Sequence, residues 1–184
     1  MALKATIFKA DLQIADMDRH YYYDHHLTIA CHPSETEERM MVRLLAFALQ
    51  ADEALCFGKG LSDEDEPDLW VKDYTGAIKL WIDVGLPDDK RVRKACNRSE
   101  KVLVLAYGGR QAELWWQQQQ SVFERHDHLV VMYLPSEATE HLTQLCQRTM
   151  HLNCTIQDGQ VWLGDDKQRS EATPQIWKSS RNDK

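Results

Sequence analysis

The chain has 184 residues with a formal net charge of −7; 43% of the residues are hydrophobic and 28% are charged. These proportions are typical of a globular protein and exclude collagen-like and disordered classes. No apolar run approaches the roughly 20 residues that a membrane-spanning helix needs, and the N-terminus has no continuous apolar stretch of signal-peptide type. We therefore expect a cytoplasmic protein with no membrane partner. The net negative charge argues against a protein that binds nucleic acid over its whole surface.

The first predicted elements are two strands and a helix. Alternating apolar and polar residues predict a strand over 6–14, and a second strand over 21–30 completes an N-terminal β-hairpin. A helix is predicted to begin at Ser34, because Ser34 and Glu37 have the spacing of a capping box. Its apolar stripe ends near Ala51.

The middle of the chain alternates strands and helices. Two strands over 68–74 and 77–84 follow an acidic loop (residues 62–66), with Thr75-Gly76 predicted as a two-residue turn. Pro87 then begins a helix that runs to about residue 99. Continuous apolar runs predict two strands buried on both faces, over 101–107 and 129–134, and a helix follows each of them.

The last predicted element is a C-terminal β-hairpin over 151–163 that turns at Asp158-Gly159. Residues 165–184 are polar and are expected to have little structure of their own. We find no internal repeat and no linker. The sequence therefore predicts one α/β domain over residues 1–164 and a polar tail over 165–184.

The hairpin over 68–84 brings two acids together. Counting outward from Thr75-Gly76 pairs residues of like character, namely Lys72 with Lys79, Val71 with Leu80, Trp70 with Trp81, and Leu69 with Ile82. The same count places Asp68 opposite Asp83. Opposed residues have Cβ atoms about 4.5–5.5 Å apart, where like charges repel. The pair therefore needs a cation, a basic side chain or a shifted pKa, unless both acids point into solvent at the strand end.

A third acid, Glu38, lies three and seven residues before Met41 and Leu45 and so shares the apolar stripe of its helix. A carboxylate on a buried face is costly unless it is paired or bound to metal. The alternative is an edge position in the first turn, where the side chain reaches water.

The order of these acids resembles the restriction-endonuclease-like superfamily, whose signature is Pro-Asp followed by acid-x-Lys. Pro67-Asp68 matches the first half and Asp83 the second acid, but Gly85 occupies the place of the lysine. Some members carry a lysine that has moved to the next helix, and Lys94 is the candidate here.

Almost the full length of the chain also resembles the bacterial YaeQ family, to which the endonuclease-like fold is assigned. The resemblance implies a restriction-endonuclease-like mixed sheet flanked by helices. The segments that carry it are MALKATIFKADLQIADMDR (1–19), HPSETEERMM (32–41), DEPDLW (65–70), LWIDVGLPDD (80–89), Lys94-Ala95-Cys96, WWQQQQ (115–120) and TIQDGQVWL (155–163).

The resemblance implies metal-assisted hydrolysis of phosphodiesters, with Mg²⁺ or Mn²⁺ activating water. Asp68 and Asp83 would hold the metal, with the backbone carbonyl of Val84 as an extra ligand. Glu38 would help them to hold one or two metal ions, and Lys94 would orient the attacking water.

Nucleic acid is the partner that this interpretation implies. Its expected phosphate contacts are Lys90, Arg91, Arg39 and Arg43. Two alternatives remain open: in one the basic helix simply balances the acidic loop, and in the other Arg39 and Arg43 pair with Glu35.

Two hypotheses for the function follow. The first is a Mg²⁺- or Mn²⁺-dependent nuclease. The second is a catalytically inactive protein of nuclease fold that binds nucleic acid or a protein. The distance from the Lys94 amine to the Asp68 and Asp83 carboxylates distinguishes the two hypotheses. In a working nuclease this amine has to approach the carboxylates within about one water's reach.

Overall fold

The computed structural model describes residues 4–181. The chain divides into two compact units, Met1–Ala51 with Glu137–Thr173 and Asp52–Ser136 with Pro174–Lys184. In chain order, the helices and strands are β1 (Thr6–Asp16), β2 (Tyr21–Cys31), α1 (Glu37–Leu49), β3 (Cys56–Phe57), β4 (Leu69–Lys72), β5 (Ile78–Val84), α2 (Asp89–Arg98), β6 (Ser99–Ala106), α3 (Arg110–Phe123), β7 (Leu129–Tyr133), α4 (Ser136–Gln144), β8 (Thr149–Gln157), β9 (Gln160–Gly164), β10 (Arg169–Ala172) and β11 (Gln175–Lys178).

The described chain is a mixed α/β protein with two mixed sheets flanked by four helices. The first unit contains a five-stranded sheet in the order β10-β9-β8-β1-β2. Both predicted hairpins are confirmed, since β1 pairs antiparallel with β2 and β8 pairs antiparallel with β9. The two hairpins join through a parallel pairing of β1 with β8.

The start of α1 differs from the prediction. Thr36, not Ser34, is the N-cap, and its side-chain oxygen accepts a hydrogen bond from the Arg39 N–H at 3.1 Å. The capping box at Ser34 is wrong because the Ser34 hydroxyl instead contacts the His32 ring at 2.6 Å. The helix therefore begins at Glu37, and Glu38 lies in its first turn.

The second unit contains a six-stranded sheet in the order β11-β7-β6-β5-β4-β3. The two predicted buried strands are confirmed as β6 and β7. Strands β5, β6 and β7 are parallel, and the remaining neighbours are antiparallel. Helices α2 and α3 pack on this sheet. The apolar cluster that they close includes Trp81, Val92, Ala95, Val102, Val104, Ala112, Trp115, Phe123 and Val131.

The predicted register of β4 and β5 is confirmed next to the acids and wrong next to the turn. Leu69, Trp70 and Val71 pair with Ile82, Trp81 and Leu80. Lys72, however, pairs with Ile78 across a register shift, not with Lys79. The turn is longer than predicted because the Asp73 N–H bonds the Ala77 carbonyl, and Asp73 Oδ1 accepts from the Thr75 and Ala77 amides. The bulge absorbs the extra residue and restores the register farther out.

The prediction for residues 165–184 is wrong over residues 165–181, because this segment contributes β10 to the first sheet and β11 to the second. Residues 182–184 lie outside the described residues. The segment over 165–181 is polar in composition, yet it has the alternating burial of a strand. Along β10 the small residues Ser170 and Ala172 are buried, and the residues that alternate with them are exposed. In β11, Trp177 stacks on Tyr133 with ring centroids 4.4 Å apart. The extent of one independently folding domain over residues 1–164 stays a prediction.

Within residues 4–181, none of the helices combines the length and the apolar character that crossing a membrane requires.

Candidate site at Asp68 and Asp83

The two predicted acids are neighbours and both are buried. Asp68 directly precedes β4 and is 2% exposed, and Asp83 lies in β5 and is 4% exposed. The Asp68 N–H donates to Asp83 Oδ1 at 3.4 Å. The antiparallel pairing of the two strands thus brings the acids together and away from water, so the alternative in which both point into solvent does not apply.

Backbone groups surround the Asp68 carboxylate. Its Oδ2 accepts a hydrogen bond from the Val84 N–H at 2.9 Å, so Val84 contacts the acid pair through its amide. A Cβ on Gly60 would lie 2.7 Å from Asp68 Oδ1, and the φ of Gly60 is +51°. Glycine at position 60 therefore lets the loop before β4 close directly over this carboxylate.

Arg91 neutralises Asp83. Its guanidinium approaches both carboxylate oxygens, with Nε 2.9 Å from Oδ2 and Nη2 3.1 Å from Oδ1. The indole Nε1 of Trp81 also donates to Oδ2, at 3.1 Å. Such a two-point contact between a guanidinium and a carboxylate is among the stronger ion pairs in proteins, so Asp83 is a buried anion with its counter-ion already in place.

The start of α2 positions Arg91. Asp88 caps the helix by accepting from the Arg91 N–H at 2.8 Å. Gly85, at φ +99°, turns the chain from β5 toward this cap. Apart from its two chain neighbours, no atom of residues 4–181 lies within 4 Å of a Cβ built on Gly85, so the obstacle to a lysine here is the backbone conformation and not space.

The Lys94 amine contacts the acidic loop (residues 62–66). Its Nζ donates to the Glu64 carbonyl at 3.2 Å and forms an ion pair with the Asp65 carboxylate. The hydrogen bond from Lys94 lowers the pKa of the Asp65 carboxyl below its ordinary value. In this structure the Lys94 amine is thus engaged by the acidic loop, and its predicted role at Asp68 and Asp83 stays a prediction.

Basic side chains of α2 fasten the acidic loop through three successive carbonyls. Arg91 donates to the carbonyls of Glu64 at 2.6 Å and Glu66 at 2.8 Å, and Arg98 donates to that of Asp65 at 2.6 Å. This supports the alternative in which the basic helix balances the acidic loop. Lys90 is exposed on the same helix.

Glu38, Arg39 and Arg43 belong to the first unit. Glu38 is half-buried. Glu35 accepts from Arg39 Nη1 at 2.6 Å and from Arg43 Nε at 2.9 Å, and Arg43 also donates to the Ala30 carbonyl at 3.0 Å. The open alternative of pairing with Glu35 is therefore realised. The parts predicted for Glu38 in catalysis and for both arginines in phosphate binding stay predictions.

The acid pair does not fit Mg²⁺ or Mn²⁺ in this arrangement. A hard cation needs carboxylate oxygens free to face it, whereas both oxygens of Asp83 accept from Arg91. The guanidinium supplies the positive charge that two neighbouring acids need. Across residues 4–181, no group of three or more His, Cys, Asp or Glu side chains is arranged to hold a metal ion.

The sequence analysis missed the partnership of Arg91 with Asp83. A signal was present, because Lys90 and Arg91 occupy the first turn of α2, where the helix dipole disfavours positive charge. Cations in that position indicate a local anionic partner. The strand that ends just before the helix supplies one.

Comparisons with known proteins agree over almost the full length. The YaeQ protein family matches residues 1–174. The uncharacterized protein YaeQ of Escherichia coli strain K12 is 48% identical over 177 residues, which is 96% of this chain and 98% of that protein. Its counterpart in Salmonella typhi is also 48% identical, with the same coverage.

Two crystal structures of YaeQ proteins have the same fold. The protein from Xanthomonas axonopodis pv. citri is 54% identical with a TM-score of 0.93, over 95% of this chain and 99% of that one. The protein from Pseudomonas syringae is 37% identical with a TM-score of 0.91, over 96% and 98%. Since sequence and structure agree over nearly the whole chain, this protein belongs to the YaeQ family.

Proposed function

We propose that the second unit has a restriction-endonuclease-like core that no longer performs metal-dependent hydrolysis, and that the protein acts by binding another protein. The fold part of this proposal rests on topology. Strands β3, β4 and β5 form an antiparallel meander, and α2 then crosses to β6, which is parallel to β5. Asp68 thus directly precedes β4, Asp83 lies near the end of β5, and a helix and a strand follow, which is the order of acids and elements that the resemblance implies.

One observation carries the functional part, namely that Arg91 contacts both carboxylate oxygens of Asp83. The position that a divalent metal would take at this acid is filled by a side chain of the protein itself. Removing one partner of a buried ion pair leaves an uncompensated charge and costs roughly 3–5 kcal/mol. A metal would therefore have to displace an interaction that the fold depends on.

The competing function is the Mg²⁺- or Mn²⁺-dependent nuclease. It is favoured by the burial of two carboxylates at adjacent strand positions, which is an uncommon arrangement. It requires two rearrangements, because Arg91 has to leave Asp83 and Lys94 has to leave Asp65. The inactive binding protein, in which Arg91 stays paired with Asp83, requires no rearrangement, and we therefore favour it.

A protein partner is favoured over nucleic acid by the state of the basic residues. Of the four predicted phosphate contacts, Arg91, Arg39 and Arg43 bond to carboxylates. The net charge of −7 also opposes phosphate binding.

The test is a titration of the pure protein with Mn²⁺ in a calorimeter, beside cleavage assays on plasmid, single-stranded DNA and RNA. Asp83→Asn removes the charge under test. Asp89→Asn is the matched control, because Asp89 is a half-exposed acid whose contact is the Arg93 guanidinium at 2.7 Å. We expect no Mn²⁺ binding and no cleavage from wild type or from either variant.

Cleavage by the wild type that needs Mn²⁺, is lost in Asp83→Asn and persists in Asp89→Asn would overturn the proposal in favour of the nuclease. Fluorescence anisotropy with labelled DNA and RNA tests the partner class. Salt-dependent binding that Lys90→Ala weakens would overturn the preference for a protein partner.

A further inference from the structure

The outer edge of β2 is open along most of its length. The Lys9 N–H bonds the Arg148 carbonyl at 2.9 Å, so the odd-numbered residues of β1 direct their backbone groups toward β8. The even-numbered residues of β1 therefore face β2, where Leu12 pairs with His25. Since backbone direction alternates along a strand, the even-numbered residues of β2 present their N–H and C=O groups to the outer edge.

Four successive outward-facing residues of this edge have unpaired backbone groups in the described part of the chain. Within residues 4–181, no hydrogen bond engages the backbone groups of Tyr22, Asp24, His26 or Thr28. The next outward carbonyl, that of Ala30, is covered by Arg43. The open edge thus ends at Thr28.

This edge lacks the usual protection. Strand β2 has 11 residues and pairs with β1 without a register shift, and it contains no proline, glycine or lysine. The other described sheet edges are short, since β10 and β11 have four residues each and β3 has two. A long, regular and unguarded edge is a template for pairing with another strand.

We propose that the outer edge of β2 pairs antiparallel with the same edge of a second copy of this chain, about a two-fold axis at His25. In this register Asp24 of each copy faces His26 of the other. Tyr22 faces Thr28 in the same way. The two five-stranded sheets then form one continuous sheet.

Charge selects this register. Outward residues pair with outward residues, so the axis can lie only at successive positions along the strand. An axis at Asp24 sets two aspartates opposite each other, which is unfavourable. An axis at His26 places Tyr22 opposite Ala30, whose carbonyl is already bonded to Arg43. An axis at His25 sets the two His25 rings opposite each other, and it alone also places the Asp24 carboxylate of each copy opposite the His26 ring of the other.

The side chains fit the same register. His26 is 81% exposed, and its Nδ1 contacts Asp11 of its own chain at 2.6 Å, which leaves Nε2 directed away from that contact. On the opposite face of the sheet, Tyr23 meets Leu27 of the second copy. Tyr22 and Tyr23 are 60% and 51% exposed, so pairing removes aromatic surface from water.

Sedimentation velocity over a range of concentrations tests the pairing. Thr28→Pro removes an outward N–H and keeps the inner hydrogen bonds to β1, and Thr28→Ala is its matched control. We expect the mass to rise toward that of a dimer in wild type and Thr28→Ala, and to stay that of a monomer in Thr28→Pro. A one-strand contact is small, so the dimer is expected to be weak.

Hydrogen exchange gives a readout that does not depend on the variant. The amides of residues 22, 24, 26 and 28 should exchange quickly in dilute wild type and slowly in concentrated wild type. The proposal is overturned by a monomer at all concentrations up to about 1 mM, by a dimer that survives in a folded Thr28→Pro variant, or by edge amides that become protected only when a different protein is added. It does not depend on the role of Asp68 and Asp83.

Discussion

Replacing Arg91 with methionine is the sharpest test of the ion pair at Asp83. The substitution keeps an unbranched apolar stem and removes the guanidinium together with its charge. Asp83 has a side chain only 6% exposed, and it would keep its charge without a counter-ion. The guanidinium also bonds the carbonyls of Glu64 and Glu66, and these contacts would be lost with it.

The expected size of the effect follows from the burial of the two partners. Breaking a buried pair on one side costs about 3–5 kcal/mol, and Arg91 itself is 23% exposed, so the lower end applies. We expect the free energy of unfolding to fall by about 3 kcal/mol, which lowers the melting temperature by roughly 6–12 °C for a chain of this size.

The assay is urea unfolding followed by tryptophan fluorescence on wild type, Arg91→Met, Asp83→Asn and the double variant. The double variant should be more stable than the sum of the two single losses predicts, because it leaves no unpaired charge. An Arg91→Met variant within about 0.5 kcal/mol of wild type, the ordinary range for surface substitutions, would refute the reasoning.

Three further predictions concern the acidic loop, the thiols and the close approach of Gly60 to the Asp68 carboxylate. Lys94→Ala should raise the pKa of the Asp65 carboxyl toward its ordinary value of 3.8 in an NMR titration, and the stabilisation from this pair should be present above that value and lost as the pH falls below it. Of the five cysteines, Cys56 is exposed and should react quickly with a thiol reagent near neutral pH, in a fast phase that Cys56→Ser abolishes. The thiols of Cys96 and Cys154 should stay slow, because burial raises their pKa values to about 11 and about 12. Gly60→Ala should destabilise the protein more than Gly76→Ala in thermal unfolding, since both pay roughly 1–2 kcal/mol for a left-handed conformation but only the new Cβ at residue 60 meets Asp68, at 2.7 Å. Equal losses in the two glycine variants would contradict the close contact at Asp68.

Local pattern was sufficient for much of the fold. The alternation of apolar residues determined the pairing of Leu69, Trp70 and Val71 with β5, because a one-residue slip moves every side chain to the other face. The same alternation predicted both hairpins. It failed at residues 165–184, because β10 and β11 are polar segments whose strand structure depends on the sheets that they join.

The sequence by itself brought Asp68 and Asp83 together, since hairpin register is a local property of 17 residues. Only the tertiary structure decided what neutralises them. Arg91 and Lys94 are three residues apart on one helix, yet Arg91 binds Asp83 and Lys94 binds Asp65. That choice depends on how α2 packs beside β5 and the acidic loop, and spacing along the chain does not encode the direction in which a helical side chain meets its neighbours.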